Sequence, residues 1–313
     1  MNRDALYADR RTFLRAVSSL FPLGFIKPDA HSPVQKPLPF IAEKIGLHMG
    51  SVQQQLAEDP MQTLGVLDQL SIRILELQDT ALLDRLHPVL KGAGFQIPSS
   101  FFPSPYITGN WNPMAAMGMK IPSQRDFQHV VDQAARYSLS YLVMPGVFPQ
   151  DRGGLDDYRR LAEKLNQTGE QCREAGVQLA YYHHSYELQP MENTNPLEVM
   201  AEIWDESLVK LQPNTLGLGL ARQDILAFLK RYAPFLGPVH LADIAEDAPQ
   251  TYRAITLPPG THQPLGKGAV DFSEILTSEI ADSIPYFFIH LEAMDDPLES
   301  LKESVSYLDN LAG

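Results

Sequence analysis

Three short segments of this 313-residue chain bring histidine together with acidic or phenolic side chains. The segments are residues 182–187, 239–243 and 289–292. Imidazole and carboxylate groups are the side chains that most often move protons near neutral pH or bind divalent metal ions. In an extended strand, side chains two residues apart share a face, so Tyr182 points with His184, and His290 points with Glu292. These segments predict a site for acid–base or metal-assisted chemistry.

Other kinds of chemistry lack their signatures in this sequence. It contains no Gly-x-Ser-x-Gly nucleophile turn, no phosphate-binding Walker loop and no His-Glu-x-x-His motif. The single cysteine, Cys172, excludes an internal disulfide and a cysteine-based zinc site. The formal net charge of −13 repels phosphate backbones, so we expect no nucleic-acid partner. No uncharged apolar run reaches about 18 residues, so we expect no membrane span.

The apolar pattern predicts the elements that must position these side chains. Short apolar runs alternate with amphipathic stretches from residue 43 onward. Strands are predicted at residues 44–49, 72–77, 94–99, 139–145, 177–184, 214–221, 238–242 and 285–292. Helices are predicted at residues 58–69, 80–92, 124–137, 154–175, 195–210, 223–233, 271–282 and 296–311. Eight alternating pairs over about 270 residues are typical of a (β/α)8 TIM barrel, an α/β fold with a closed parallel sheet.

An open, doubly wound sheet is the alternative fold. The first predicted strand is followed by Gly50-Ser51-Val52-Gln53, which is not the glycine-rich phosphate turn of such sheets, and this favours the barrel. Barrel enzymes carry their sites on the loops at the carboxyl ends of the strands. Two of these loops are long, at residues 100–122 and 243–270, and long loops often cover a site. Trp111 in the first loop either stacks on a sugar ring or fastens the loop to the barrel.

The N-terminus resembles an export signal. Arg10-Arg11-Thr12-Phe13-Leu14-Arg15 resembles a twin-arginine motif, and a fairly apolar stretch follows. We expect residues 1–30 to be a signal peptide that directs the protein to the periplasm. Residues 31–42 are then a linker, and residues 43–313 form the barrel domain. The alternative is an amphipathic helix that packs on the domain of a cytoplasmic protein.

Several motifs occur in an order that resembles one family. They are Lys44-Ile45-Gly46-Leu47, the segment from Tyr158 to Glu187 that ends Ala-Tyr-Tyr-His-His-Ser-Tyr-Glu, Val239-His240-Leu241-Ala242-Asp243, Gly266-Lys267-Gly268-Ala269-Val270-Asp271-Phe272, and Asp296-Pro297-Leu298-Glu299-Ser300. Over residues 43–311 the chain resembles the sugar phosphate isomerase/epimerase family of xylose isomerase-like TIM barrels. The resemblance implies an isomerase, epimerase or related lyase that removes a proton next to a carbonyl of a sugar, polyol or keto-sugar.

The resemblance also implies a metal site. Family members usually hold one divalent metal on acidic and histidine ligands from strands five to eight. Carried over, this assigns His184, His240 and Glu292 both as catalytic residues and as metal ligands, with His290 as the alternative to Glu292. The strand-six aspartate is absent, because Ala221 stands near its position. The expected cofactor is a zinc, manganese or cobalt ion, and a metal-free site is the alternative.

The same transfer predicts the contacts with a small sugar or polyol. The predicted substrate-binding residues are Tyr182, Glu187, Trp111, Lys267, His48 and His290, where Glu187 either binds substrate or forms a salt bridge. A catalytically degenerate carbohydrate-binding or accessory protein on the same barrel is the rival function. Tyr182 at a ligand position and the absent strand-six aspartate both favour that rival. The sequence leaves the oligomeric state open, a homo-oligomer included.

Overall fold

The computed structural model describes residues 43–253 and 257–311. Its strands are β1 Ile45–His48, β2 Ile74–Leu77, β3 Gln96–Phe101, β4 Tyr141–Met144, β5 Gln178–Tyr182, β6 Val209–Gln212, β7 Val239–Leu241, β8 Asp243–Ile244, β9 His262–Gln263 and β10 Phe287–Ile289. Its α-helices are α1 Gln53–Glu58, α2 Pro60–Gln69, α3 Leu83–Gly92, α4 Pro105–Thr108, α5 Asn112–Ala116, α6 Phe127–Arg136, α7 Leu155–Glu174, α8 Pro196–Ala201, α9 Thr215–Leu220, α10 Ile225–Arg231, α11 Phe272–Leu276, α12 Ile280–Ser283 and α13 Pro297–Leu311. The predicted export signal and linker, residues 1–42, lie outside the described residues.

Eight parallel strands form a nearly closed barrel, which confirms the predicted fold. Their order is β6-β5-β4-β3-β2-β1-β10-β7, so β10 takes the place of an eighth barrel strand. Between β6 and β7 the sheet is joined by single bridges, Leu211 to Leu236 and Asn214 to His240. The N–H of His240 donates to the carbonyl of Pro213 at 2.8 Å across this seam. The strands β8 and β9 form a separate antiparallel pair.

The surrounding helices bury one apolar face against the barrel. In α7 the buried side chains include Tyr158, Leu161, Leu165 and Cys172, at the three- and four-residue steps of an amphipathic helix. Burial raises the pKa of the Cys172 thiol to about 12, so this cysteine behaves as a small apolar residue. Within the described ranges, no helix is both long enough and apolar enough to cross a membrane.

The sixth strand is the one element that the sequence misplaces. The predicted strand 214–221 is the helix α9, and the strand β6 lies earlier, beginning in the last two residues of the predicted helix 195–210 and ending at Gln212. In α9 leucine and glycine alternate, and a two-residue period is typical of a strand with one buried and one exposed face. The leucines and Gly217 are all buried, so in this helix the alternation does not separate a buried face from an exposed one. The side chain of Asn214 caps α9 by accepting a hydrogen bond from the N–H of Leu216. The sixth strand therefore ends at Gln212, and Ala221 is not a strand-end residue.

A histidine-rich candidate active site

A buried carboxylate lies inside the barrel near its mouth, which is the end of the barrel where the carboxyl ends of the strands meet. Glu76 on β2 is fully buried. Its Oε1 accepts hydrogen bonds from Ser99 Oγ at 2.7 Å and Gln212 Nε2 at 2.8 Å. Its Oε2 lies 2.8 Å from His48 Nδ1 and 2.5 Å from His240 Nε2. Glu76 is not among the site residues predicted from the sequence, although a lone carboxylate inside a predicted apolar strand could have identified it.

The protonation states of this network follow from its surroundings. Burial alone raises the pKa of Glu76, but electrostatic attraction to His240 and His48 and the hydrogen bonds from their ring N–H groups outweigh it and hold that pKa far below its usual range. Glu76 is therefore a carboxylate at neutral pH, and both imidazoles donate to it. Burial lowers the pKa of His240, so its neutral ring carries the proton on Nε2 and leaves a lone pair on Nδ1.

That free nitrogen of His240 faces His290, just past the end of β10. The two Nδ1 atoms lie 3.2 Å apart, and the hydroxyl of Tyr182 is 3.4 Å from Nδ1 of His290. Burial and the neighbouring histidines keep the pKa of His290 well below its ordinary value. These neighbours are His48, His184, His240 and His262. Five of the nine histidines in the chain therefore converge at the mouth.

Tyr182 ends β5, and His184 lies just past the strand with its ring beside that of Tyr182. Their rings meet edge to face with centroids 5.1 Å apart. Burial raises the pKa of Tyr182 well above its ordinary value, so it stays a protonated phenol. Burial also lowers the pKa of His184 to about 3, which keeps the imidazole neutral. The Nδ1 atom of His184 is buried and has no hydrogen-bond partner among the described residues.

Glu187 supports the turn that carries His184. Its carboxylate accepts hydrogen bonds from the Tyr181 hydroxyl at 2.6 Å and from the N–H of His184 at 2.8 Å. The side chain is fully buried, and burial raises its pKa to about 7 despite these bonds. The ion pairs of the described residues do not include Glu187, so the salt bridge expected as its alternative role is not formed. Contact with substrate stays a prediction.

Glu292 lies at the exposed edge of the converging histidines, next to His262, and Lys267 lies farther along the outer side. The side chain of Glu292 is 66% exposed, and its Oε2 is 3.6 Å from Nε2 of His262. Because β10 ends at Ile289, the two-residue alternation does not extend to Glu292, and His290 faces His240 instead. Lys267 is exposed and lines a groove along α13 with Glu299 and Lys302 (residues of the barrel's outer side). The roles predicted for Glu292 and Lys267 stay predictions.

The predicted ligand set differs from the group that the structure gathers. Among the described residues, the group of three whose ligand atoms all lie within 4.8 Å consists of His48, Glu76 and His240. His184 and Glu292 are not in it. Only His240 is common to the predicted set and this group.

The loop after β3 is fastened by its own aromatic residues. Trp111 is half-buried, and its ring meets Tyr106 edge to face at 5.0 Å. The amide of Asn110 donates to Asp151 at 2.7 Å, which ties this loop to the one after β4. These contacts give Trp111 a structural role, and its stacking on a sugar stays a prediction.

The second long loop is held by Asp243, on β8. Its Oδ2 accepts hydrogen bonds from the N–H groups of Gly266 and Gly268, each at 2.9 Å, and its Oδ1 accepts one from Val270 at 3.1 Å. A Cβ on Gly268 would lie 2.2 Å from the carbonyl oxygen of Ile244, so only glycine fits there. The carboxylate of Asp243 thus connects two of the motifs that resemble the family, residues 239–243 and residues 266–272.

The donors at the mouth fit a transition-metal ion. His48, Glu76 and His240 form one candidate set. A second lies at the strand ends to which the resemblance points: Tyr182 at the end of β5, Gln212 at the end of β6, His240 on β7 and His290 after β10. Gln212 is fully buried, and its Oε1 has no partner among the described residues. Imidazole-rich sets favour zinc and other transition metals over magnesium.

Known proteins resemble this chain in sequence and in fold. Inosose dehydratases from Bacillus thuringiensis and Clostridium perfringens are 27% identical over 148 residues and 28% identical over 149, which is 45% of this chain and 49% of each relative. The chain thus spans about half the length of these curated relatives.

Among solved structures, a sugar phosphate isomerase/epimerase from Parabacteroides distasonis has a TM-score of 0.67 at 19% identity, over 84% of this chain and 97% of that one. The IolI protein with a bound zinc atom has a TM-score of 0.60 at 12% identity, over 86% and 98%. Residues 65–311 match the family described as the xylose isomerase-like TIM barrel. The chain belongs to the xylose isomerase-like TIM barrel family.

Proposed function

We propose that this chain is a sugar isomerase/epimerase-like enzyme, or a related lyase, that moves a proton next to a carbonyl of a sugar, polyol or keto-sugar. The observation that carries the proposal is the buried, unpartnered Nδ1 of His184, whose ring meets the ring of Tyr182 edge to face. A buried polar atom without a partner costs about 1–3 kcal/mol, and at the mouth of a barrel a hydrogen bond to a bound substrate would remove that cost. Relatives named inosose dehydratase support the substrate class, and solved structures named L-ribulose 3-epimerase and 3-keto-D-glucoside 4-epimerase share the fold.

The roles follow from the protonation states. The neutral imidazole of His184 accepts the proton from the carbon next to the carbonyl. The same imidazole then returns the proton to the substrate, as isomerisation requires. The protonated hydroxyl of Tyr182 donates a hydrogen bond to the carbonyl oxygen as negative charge develops there. A transition-metal ion, when bound at the mouth, would polarise the same carbonyl.

Proton exchange tests this proposal without knowledge of the product. The protein is incubated in D2O with a panel of ketoses, aldoses and keto-inositols, and loss of the C–H signal next to the carbonyl is followed by proton NMR. We expect exchange with at least one sugar. His184→Ala and Tyr182→Phe should each slow it by about 100-fold or more. His129→Ala on the outer helix α6 is the matched control and should leave the rate unchanged.

A non-catalytic carbohydrate-binding protein is the second candidate, and one observation favours it. The family-like strand ends carry Tyr182, Gln212 and His290, none of which is a carboxylate. The same NMR samples separate the two functions. If saturation is transferred from the protein to a sugar but the C–H protons of that sugar do not exchange, the protein binds sugars without catalysis. That result would support the second candidate and exclude the first.

Export to the periplasm is a further part of the proposal. The arginine pair Arg10-Arg11 supports it. Changing both to lysine should retain the protein in the cytoplasm, as cell fractionation would show. Equal periplasmic amounts of both forms would exclude the twin-arginine route.

A further inference from the structure

We infer that His262 and Glu292 form a hydroxyl-binding pair at the edge of the barrel mouth, which holds a sugar or polyol by one of its hydroxyl groups. Nε2 of His262 donates a hydrogen bond to the hydroxyl oxygen, and the carboxylate of Glu292 accepts the hydroxyl proton. The inference names a binding contact of the proposed active site and so rests on the proposed function. It assigns Glu292 to substrate binding rather than to proton transfer.

The spacing of the two side chains suits a hydroxyl group between them. Nε2 of His262 and Oε2 of Glu292 lie 3.6 Å apart, which is longer than a direct N–H···O hydrogen bond. Polar groups at such a separation are often bridged by a third polar atom. An oxygen atom about 2.8 Å from each of them fits this separation. A hydroxyl group both accepts and donates, so it matches a pair made of one donor and one acceptor.

The hydrogen bonding of His262 within the described part of the chain is incomplete. Its side chain is only 5% exposed, and its Nδ1 atom has no hydrogen-bond partner among the described residues. Buried polar side chains with a purely structural role are usually hydrogen-bonded. Burial lowers the pKa of His262 despite the charge of Glu292, so the ring is neutral and carries one proton. The nearby carboxylate favours that proton on Nε2, which makes this nitrogen a donor.

The ring of His262 belongs to the same cluster as the proposed base. It meets the ring of His290 edge to face, with centroids 6.4 Å apart. The ring of Tyr182 also lies 6.4 Å from that of His290, and Tyr182 contacts His184. His290 therefore connects the hydroxyl-binding pair to the residues proposed for proton transfer. A sugar that reacts beside Tyr182 and extends across His290 reaches the pair.

The second long loop holds His262 in place before any substrate binds. His262 lies on β9, and its register partner on β8 is Ile244. Next to this pair, the N–H of Ala245 donates to the carbonyl of Thr261 at 2.9 Å. The other end of the same loop is bound by the carboxylate of Asp243. A binding residue that is already positioned costs less entropy when the ligand arrives.

Glu292 is positioned by the turn that follows β10. The N–H of Leu291 donates to Ser51 Oγ at 2.9 Å, which ties this turn to the first strand's loop. Ala293 has a φ of 55°, in the left-handed region that residues other than glycine rarely adopt. Such a conformation persists where the surrounding structure determines it. The side chain of Glu292 itself is 66% exposed, so its oxygens are accessible to a ligand at the mouth.

The concentration dependence of C–H exchange tests this contact. The probes are D-fructose, D-glucose and scyllo-inosose, which represent the ketoses, aldoses and keto-inositols. Glu292→Ala should raise the sugar concentration for half-maximal exchange by about 10-fold or more, because a hydrogen bond to a charged group is lost. The maximal rate should stay within about threefold of the wild type, as expected for a contact made equally before and during the reaction. Glu299→Ala, exposed on α13, is the matched control and should change neither quantity.

Two variants of His262 separate its hydrogen bond from its packing. His262→Phe keeps an aromatic ring but loses the donor, and it should raise the half-maximal concentration by about 3- to 10-fold. His262→Gln can place a side-chain N–H near the position of Nε2 and should return it to within about threefold of the wild type. Glu292 is on the surface, so its variant remains informative if a His262 variant does not fold. A lower maximal rate at an unchanged half-maximal concentration in Glu292→Ala would overturn the inference.

A binding measurement separates the failure of this inference from the failure of the proposed function. In wild-type protein labelled with 15N-histidine, proton–nitrogen NMR follows each imidazole ring while the same three sugars are added. We expect the Nε2 signal of His262 to shift with at least one of them. A shift at His184 without one at His262, or no shift at any imidazole with all three sugars, would refute the pair. A shift at His262 without any C–H exchange would support the pair and contradict the proposed enzyme.

Discussion

Nε2 of His240 lies 2.5 Å from Oε2 of Glu76, although the two residues are 164 positions apart in the chain. Both side chains are fully buried, and one belongs to β7 and the other to β2. A short bond between an ionised carboxylate and an imidazole N–H is among the stronger hydrogen bonds in proteins. It fixes the ring of His240 and decides which nitrogen faces the barrel mouth.

Replacing Glu76 by glutamine should destabilise the protein. Glutamine keeps one oxygen acceptor and places an N–H2 group against donors, so at least two of the four hydrogen bonds are lost in a buried site. We expect the free energy of unfolding to fall by about 3 kcal/mol, measured by urea denaturation of the metal-free protein. Glu58→Gln, on the exposed end of α1, is the control and should change it by less than about 0.5 kcal/mol. Equal stability of the two variants would show that Glu76 is not a structural centre.

Gly50 makes room for the His48 ring. A Cβ at Gly50 would lie 2.7 Å from Nε2 of His48, and the ring cannot swing away freely because Nδ1 is bonded to Glu76. Gly50→Ala should therefore cost about 1–3 kcal/mol of unfolding free energy. Gly65→Ala is the matched control, since Gly65 lies in α2 with nothing within 4 Å of the added carbon. That change should stabilise the helix by about 0.5–1 kcal/mol. A stabilised Gly50→Ala protein would contradict the fixed position of His48.

Asp243→Asn should loosen the second long loop locally. The new side-chain NH2 group faces backbone N–H groups that donated hydrogen bonds to the carboxylate. The loss of these hydrogen bonds lowers the local stability of the loop by about 2 kcal/mol. Hydrogen exchange at the amides of Gly266 and Gly268 should then be roughly 30-fold faster. Amides of β4 are the internal control and should exchange as in the wild type. Unchanged rates at both glycines would show that the loop is held elsewhere.

Glu187 should make stability fall as the pH rises. Its pKa is about 7 in the folded protein against 4.5 for an ordinary glutamate, so the folded state keeps a proton that the unfolded state has released in that range. The contribution is fully present below about pH 4.5 and is lost as the pH rises through 7, by roughly 3 kcal/mol at most. Glu187→Gln cannot titrate, so the difference from wild type in unfolding free energy should change across this window. Glu163→Gln, exposed on α7, should show no such change, and an equally flat difference for Glu187→Gln would contradict the raised pKa.

The sequence by itself determined most of the elements and their order. Apolar periodicity is a local property, so it located seven of the barrel strands and the alternation with helices that defines the fold. It failed at β6, because α9 is buried on all sides and its leucine–glycine alternation resembles a strand. Because the predicted sixth strand spans residues 214–221, it does not include Gln212, which is the residue at the true end of that strand.

The tertiary structure alone decided which side chains meet. The carboxylate of Glu76 joins His48, Ser99, Gln212 and His240 from four other strands, and these contacts depend on strand register and barrel closure. Whether His290 or Glu292 faces His240 depends on where β10 ends, a point that the alternation of residues does not encode. Local propensity is set by neighbours along the chain, whereas a site on converging strand ends is set by neighbours in space, and only the closed sheet supplies those.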